Sequence, residues 1–302
     1  MKTISEWASD IEKKVNTKRL SQIRYRKITL TLISAAACIA LVAISVFAVV
    51  GDGNLTAPES DGKGVTVPAI EIQKPEEGVR ASMIALFVYQ GKVYTYINSV
   101  SEPADAENSL IGEHLGTAAG NLNEWSEDED YTADFSASVS GEVHTLNGYD
   151  PSYKLCVAVP SEGGVTVDIY ANLNGITLVK GEDLYGESRE NLKGNYIDAA
   201  YLTHDKWDSG STDMTPLEDS EDFENLSAFI DELYSSPFVT YEEIYESEPN
   251  QLHIYLTMNN GTTLGLRLYE GGYVGFDQML GYAFVKMDSP VFDAVFALAS
   301  AE

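Results

Sequence analysis

The chain predicts an α+β domain, antiparallel sheet with packed helices, preceded by one transmembrane helix. Three observations carry that expectation. Residues Ile28 to Val50 form a run of 23 without a single charge. Beyond residue 80, β-rich runs are broken at short intervals by Gly and Asn turn signals. Two stretches near residues 220 and 290 carry apolar side chains at helical spacing behind acidic or proline-containing first turns.

In chain order, residues 1–27 come first as a cytoplasmic tail. Ile4, Trp7, Ala8, Ile11 and Val15 recur at helical spacing, and Thr3 or Ser5 caps the start. The stripe either lies on the inner leaflet with its lysines near anionic headgroups, the reading that needs no further assumption, or receives a cytoplasmic partner, which makes Trp7 and Ile11 candidate partner-binding residues.

Residues 28–50 follow as the membrane span, since at 1.5 Å per residue they make a helix of about 34 Å, against a hydrocarbon core of about 30 Å. Residues 1–27 hold eight basic and three acidic side chains, a net of 8 − 3 = +5. The totals of 19 basic and 47 acidic residues leave 11 and 44 after the span, a net of 11 − 44 = −33. Short basic segments stay inside, so the tail is cytoplasmic and the acidic bulk extracytoplasmic, in the cell membrane by a single pass. Cleavage after Val46-Phe47-Ala48 and lipidation at Cys38 fit less well, because the apolar run is long and continues past the cysteine. So acidic an outer part also excludes nucleic acid, which needs Lys and Arg for its phosphates.

Residues 51–79 are rich in Gly, Pro, Ser, Thr, Asp and Glu and read as a flexible linker. The domain at 80–302 opens with a hairpin, Met83–Tyr89 and Lys92–Ile97 around Gln90-Gly91. Further strands are predicted at 142–146, 153–159, 164–170 and 175–179. Leu252, Ile254, Leu256 and Met258, then Leu264, Leu266 and Leu268, alternate with polar residues on either side of Asn259-Asn260-Gly261. That is a second hairpin, leucines inward and His253 and Arg267 outward. A helix capped by Ser220 places Phe223, Leu226, Phe229, Ile230 and Leu233 on one face, and another starts at Asp288 or Ser289 with Pro290 in its first turn. The order allows two sheet lobes, split near 205–220.

Chemistry is sparse. The acidic runs Glu127-Asp128-Glu129-Asp130 and Glu218-Asp219-Ser220-Glu221-Asp222 lack the ligand spacing of a calcium loop and read as solvated surface. His114, His144, His204 and His253 are scattered, with no zinc motif, so no metal residue is assigned. Thr203-His204-Asp205-Lys206 reads as polar loop rather than a catalytic group. Cys156 lies in an apolar run and reads as core, not as a catalytic thiol. No nucleophile or phosphate-binding motif is present, so catalytic and cofactor residues are none and the expectation is not an enzyme. Seventeen of the eighteen tyrosines follow the span, with Tyr94, Tyr96, Tyr255, Tyr269 and Tyr273 in or beside strands. This hints at binding, although tyrosine is also a good strand former.

The stretch Leu266-Arg267-Leu268-Tyr269-Glu270-Gly271-Gly272-Tyr273-Val274-Gly275-Phe276, with Phe284-Val285-Lys286-Met287, Phe292-Asp293-Ala294-Val295-Phe296 and Asn174-Gly175-Ile176-Thr177-Leu178, resembles uncharacterised single-pass membrane proteins of Firmicutes, some labelled anti-sigma-factor-like. The resemblance implies an extracytoplasmic α+β domain and a sigma factor as the cytoplasmic partner. The expected function is thus membrane-tethered binding or sensing of an unknown outer ligand, with a passively anchored envelope-binding or adhesion module second and a hydrolase third.

Overall fold

The computed structural model describes residues 64–67, 84–103, 109–123, 126, 128–161, 163–241, 249–276 and 283–300. The predicted tail with Trp7 and Ile11, the span at 28–50 and most of the linker lie outside those residues. Among the described residues no helix is long and apolar enough to cross a membrane.

The strands are β1 (Val65–Thr66), β2 (Leu86–Tyr89), β3 (Lys92–Pro103), β4 (Ile111–Ala119), β5 (Ser140–Leu146), β6 (Lys154–Ser161), β7 (Gly164–Ala171), β8 (Thr177–Leu178), β9 (Tyr196–Thr203), β10 (Thr215–Pro216), β11 (Phe238–Thr240), β12 (Gln251–Met258), β13 (Thr263–Tyr269), β14 (Tyr273–Phe276) and β15 (Ala283–Lys286). The helices are α1 (Glu182–Tyr185), α2 (His204–Asp208), α3 (Ser220–Ser235) and α4 (Pro290–Phe296). Strands hold 46% and helices 19% of the structure, so the α+β expectation is overturned: the fold is mainly β. Only α3 among these helices exceeds seven residues, and it and α4 cover a sheet that extends well beyond them.

The first sheet runs β2-β3-β7-β6-β5-β4, all antiparallel. Its edges nearly meet through residues 135–138. Phe135 N donates to Val88 O (2.7 Å), Val88 N to Ser136 O (2.9 Å) and Ser138 N to Leu86 O (3.0 Å) on one side; Ala119 N donates to Phe135 O (2.9 Å) on the other. The result is a nearly closed barrel, which removes two exposed edges. Phe87, Tyr94, Val143, Leu155, Val157 and Tyr170 fill it, with Phe87 stacked on Tyr94 at 5.3 Å. Gly116 is required in the wall, because a Cβ there would lie 2.4 Å from the Phe135 ring.

The second sheet runs β10-β9-β12-β13-β14-β15-β11, also antiparallel. The β12–β13 hairpin forms as its alternation predicts, and Leu252, Ile254, Leu256, Leu264, Leu266 and Leu268 share a core with Leu226, Phe229, Ile230 and Leu233 of α3 and Phe292 of α4. The predicted Ser220 cap is displaced by one residue: Asp219 is the N-cap of α3 and its side chain makes no capping bond. At α4, Ser289 Oγ accepts from Phe292 N at 3.2 Å, with Pro290 first in the helix.

Two boundaries differ from expectation. Val65 and Thr66 pair with Leu178 and Thr177, and Val65 is fully buried, so residues 64–67 belong to the core rather than to a flexible linker. Residues 205–220 lie within the second sheet, where β10 pairs with β9. The chain changes sheets earlier, after β7. The barrel keeps its own interior cluster, and the two sheets meet where Ile97, Tyr153 and Ala171 join the cluster that holds Leu252 and Phe229. Tyr149 Oη meets Thr262 Oγ1 at 2.9 Å, and Asn260 Nδ2 donates to Asn147 O at 3.2 Å.

Candidate functional site

An exposed antiparallel face ordinarily carries polar side chains. The second sheet departs from that rule on the face opposite its leucines. The β12–β13 register sets His253 across from Arg267 and Gln251 across from Tyr269. The next pairings add Gly275 beside Arg267, Tyr273 beside Tyr269 and Lys286 beside Tyr273. Period-two geometry thus collects aromatic and cationic residues from β12 to β15 on one surface.

Helix α2 follows β9 without a loop and lays Trp207 over this surface. The indole stacks on the His253 ring at 4.9 Å and 17°, and Arg267 Cζ lies 5.2 Å from the indole centroid. His204 lies on at 6.5 Å from Trp207, and Tyr255 at 6.5 Å from His253, both with ring planes within 23°. Trp207 leaves His253 1% exposed while remaining 38% exposed itself. The second half of the face is also aromatic. Tyr241 stacks on Tyr273 at 4.2 Å, Lys286 Nζ stands 4.2 Å over the Tyr273 ring, and Phe284 meets Tyr269 edge-on at 5.6 Å. Gly275 lets the Tyr269 and Phe284 rings lie close, since a Cβ would be 3.3 and 3.2 Å from them. The face thus presents stacked rings beside a guanidinium, while the Lys286 ammonium is paired with Asp288 Oδ1 at 2.7 Å.

The residues singled out in sequence are sorted by this geometry. Tyr255, Tyr269 and Tyr273 belong to the face; Tyr94 and Tyr96 turn into the barrel, where Tyr96 Oη meets Ser99 Oγ at 2.8 Å and Ser99 Oγ donates to Asp168 at 2.5 Å. Burial holds the Asp168 carboxyl above its usual range, against the Ser99 bond. His253 does point away from the leucines, yet it is covered. Thr203-His204-Asp205-Lys206 does not converge: the His204 ring turns to Trp207, Lys206 Nζ reaches Thr215 Oγ1 at 3.3 Å, and Asp205 is exposed. Burial, with Glu102 and Asp168 nearby, pushes the Cys156 thiol up to about 12, as suits a core residue.

A shallow groove of about 290 Å³ lies between α3 and residues 193–197, rimmed by the Lys193–Asp231 pair at 2.6 Å. Where the two sheets meet, Glu190 accepts from Tyr153 Oη and from Lys154 Nζ (2.7 Å), and Lys154 Nζ stands 4.2 Å over the Tyr149 ring. Side-chain exposure of 7% for Lys154 and 0% for Glu190 closes this cluster to a ligand, so it acts as an internal pin. Sequence reasoning missed Trp207 and the pin alike. Comparison with protein families, with curated proteins and with solved structures finds no match.

Proposed function

We propose that the chain is a membrane-tethered extracytoplasmic binding protein whose contact surface is the Trp207 face. One observation carries this reading: a partly exposed indole is fixed on a stack of near-parallel rings, with Arg267 beside it. Tyr, Trp and Arg dominate the energetics of contact surfaces because they bring large area at small entropic cost. The ligand class that suits fixed ring faces with a guanidinium beside them is an envelope glycan, its sugar rings lying on the aromatic faces next to Arg267. The predicted span at 28–50 holds the domain at the membrane, and the Trp7 and Ile11 stripe passes the signal to a cytoplasmic partner of the sigma-factor type.

The test uses the full chain in detergent or nanodiscs, titrated with peptidoglycan fragments and with neutral oligosaccharides. The expected result is saturable quenching of indole emission and a raised melting temperature, since a ligand that binds only the folded state stabilises it. Trp207→Ala should remove the response while Ile197→Ala, at an exposed site beside the groove, keeps it. Fragments that bind Trp207→Ala as tightly, or not at all to the parent chain, would overturn the reading. In cells, Trp7→Asp with Ile11→Asp should abolish partner capture; unchanged capture and transcription would leave a passive anchor.

A further inference from the structure

One wall of the groove beside α3 is a turn that the fold holds from both sides. Asn195 N donates to Leu192 O at 3.2 Å, and Asn259 donates to Asn195 twice, from N to O at 2.9 Å and from Nδ2 to Oδ1 at 2.8 Å. On the helix side, Lys193 N donates to Tyr234 Oη at 2.8 Å, and that hydroxyl donates to Tyr185 O at 2.6 Å. The wall is thus formed before any ligand arrives, which spares the cost of ordering it. Phe223, Ile230 and Asp231 fall two turns apart on one stripe of α3, and Tyr196 and Ile197 face them across the groove. Ile230 is buried, Tyr196 and Phe223 are half-buried against the core, and Ile197 is 53% exposed, so the floor is apolar and open. The groove borders α3, which covers the leucine face, and is therefore separate from the Trp207 face.

Its rim carries one charge of each sign. Lys193 Nζ and Asp231 Oδ1 stand 2.6 Å apart, with side-chain exposures of 58% and 55%. An exposed pair gains little from its own attraction, so it opens readily to a ligand that offers both charges. We propose that this groove binds a free α-amino acid with an apolar side chain. The carboxylate sits on Lys193 Nζ, the ammonium on Asp231, and the side chain on the floor of Phe223 and Ile197. Two charge-assisted contacts then replace one, with no net charge left over. A lone anion would meet Asp231 and a lone cation would meet Lys193, so the rim selects the zwitterion. Size agrees: drug-sized sites begin at about 300 Å³, and a groove of about 290 Å³ takes a single small molecule. Burial, with Asp231 second, holds the Tyr196 phenol above its ordinary 10, so it keeps its proton and adds no charge to the rim.

The test is isothermal titration of the full chain in nanodiscs with L-leucine, L-methionine and L-phenylalanine. One saturable site per chain is expected. N-acetyl-L-leucine lacks the ammonium, L-leucinamide the carboxylate and glycine the side chain, and each should bind about tenfold more weakly than leucine. Lys193→Met and Asp231→Asn should each weaken leucine binding by about tenfold, and Ile197→Ala should weaken it several-fold. Trp207→Ala should leave it unchanged, which separates this site from the glycan surface. Cooperative melts near the parent midpoint establish that the variants fold, and the analogue series needs no variant. Lack of saturable binding by all three amino acids through the millimolar range overturns the proposal. So does binding that survives Lys193→Met combined with Asp231→Asn, or N-acetyl-L-leucine binding as tightly as leucine, which would leave only an apolar contact with the floor.

Discussion

Lys154 and Glu190 form a buried ion pair at 2.7 Å. Two charges have been taken out of water, and their attraction offsets the cost only because Tyr153 Oη fills the second carboxylate oxygen and the Tyr149 ring faces the ammonium. Removing one partner leaves the other buried alone. Glu190→Ala is therefore expected to destabilise the fold by about 3–5 kcal/mol, whereas Lys154→Met with Glu190→Leu should be close to neutral. Urea unfolding of the single and double variants checks both. Buried phenols and the Lys154 ammonium together set the alkaline limit. Burial opposes the Lys154 ammonium, but Glu190 outweighs it, and the group is held above its ordinary 10.5. Burial, helped by Tyr89 and Asp150, pushes the Tyr94 phenol up to about 12, and burial with Glu190 holds Tyr153 well above 10. Each folded-state value is raised, so the folded chain keeps protons that the unfolded chain releases. The stability these groups contribute is full below about pH 10 and is lost as pH climbs toward 12. Melting temperature measured from pH 8 to 12 should hold and then fall steeply; a flat profile would contradict the assignment.

Elements are stabilised here mostly by the face they bury. Helix α3 ends against Gly181, where a Cβ would sit 1.9 Å from Leu233 O, so Gly181→Ala has to push the last turn of α3 off the core, at about 1–3 kcal/mol. Phe229→Ala, at a fully buried position on the same helix, should cost about 3–5 kcal/mol. At the helix starts, Ser289→Ala should cost about 1 kcal/mol, since its oxygen holds Phe292 N, while Ser220→Ala changes little, because Ser220 is not the cap that the sequence predicts. Thermal melts of the four variants give the order. Strands follow the same logic of packing over propensity. The β12–β13 hairpin was legible because strict alternation and an Asn-Gly turn agree, as was the β2–β3 hairpin, where Gln90 and Gly91 both take positive φ of 50° and 69°. β4 and β9 were not. Ile111–Ala119 has two glycines and two alanines, and Tyr196–Thr203 has an Asp-Ala-Ala centre, compositions that disfavour a strand in isolation. Both are strands because two neighbours, or a neighbour and a shared core, hold them.

At the scale of the whole molecule, the aromatic face of the second sheet was half legible. The alternation that sends His253 and Arg267 outward could be read from the hairpin, but Trp207 reaches them from a five-residue helix that no period announces. The pairing of His114 with His144 depends on a register with irregularities on both sides of His114, beyond what spacing conveys. Barrel closure depends on residues 135–138, which bridge two edges without being a strand, so fold class went the same way. What the finished structure adds is unity. Tyr149 to Thr262, Asn260 to Asn147 and the Lys154–Glu190 pin all cross between the sheets, and β1 brings Val65 and Val67 into the core that both supply. Losing the second sheet would bare Ile97, Tyr153 and Ala171 on the barrel's side of the junction, which couples the two halves. The full chain is expected to unfold in a single transition, with far-ultraviolet dichroism and tyrosine emission coinciding. Val65→Asp sharpens the test: it puts a charge at a fully buried site beside Leu178, and it should lower the midpoint for both probes equally. If instead the barrel signal persists after the second sheet has melted, the junction does not couple the two halves.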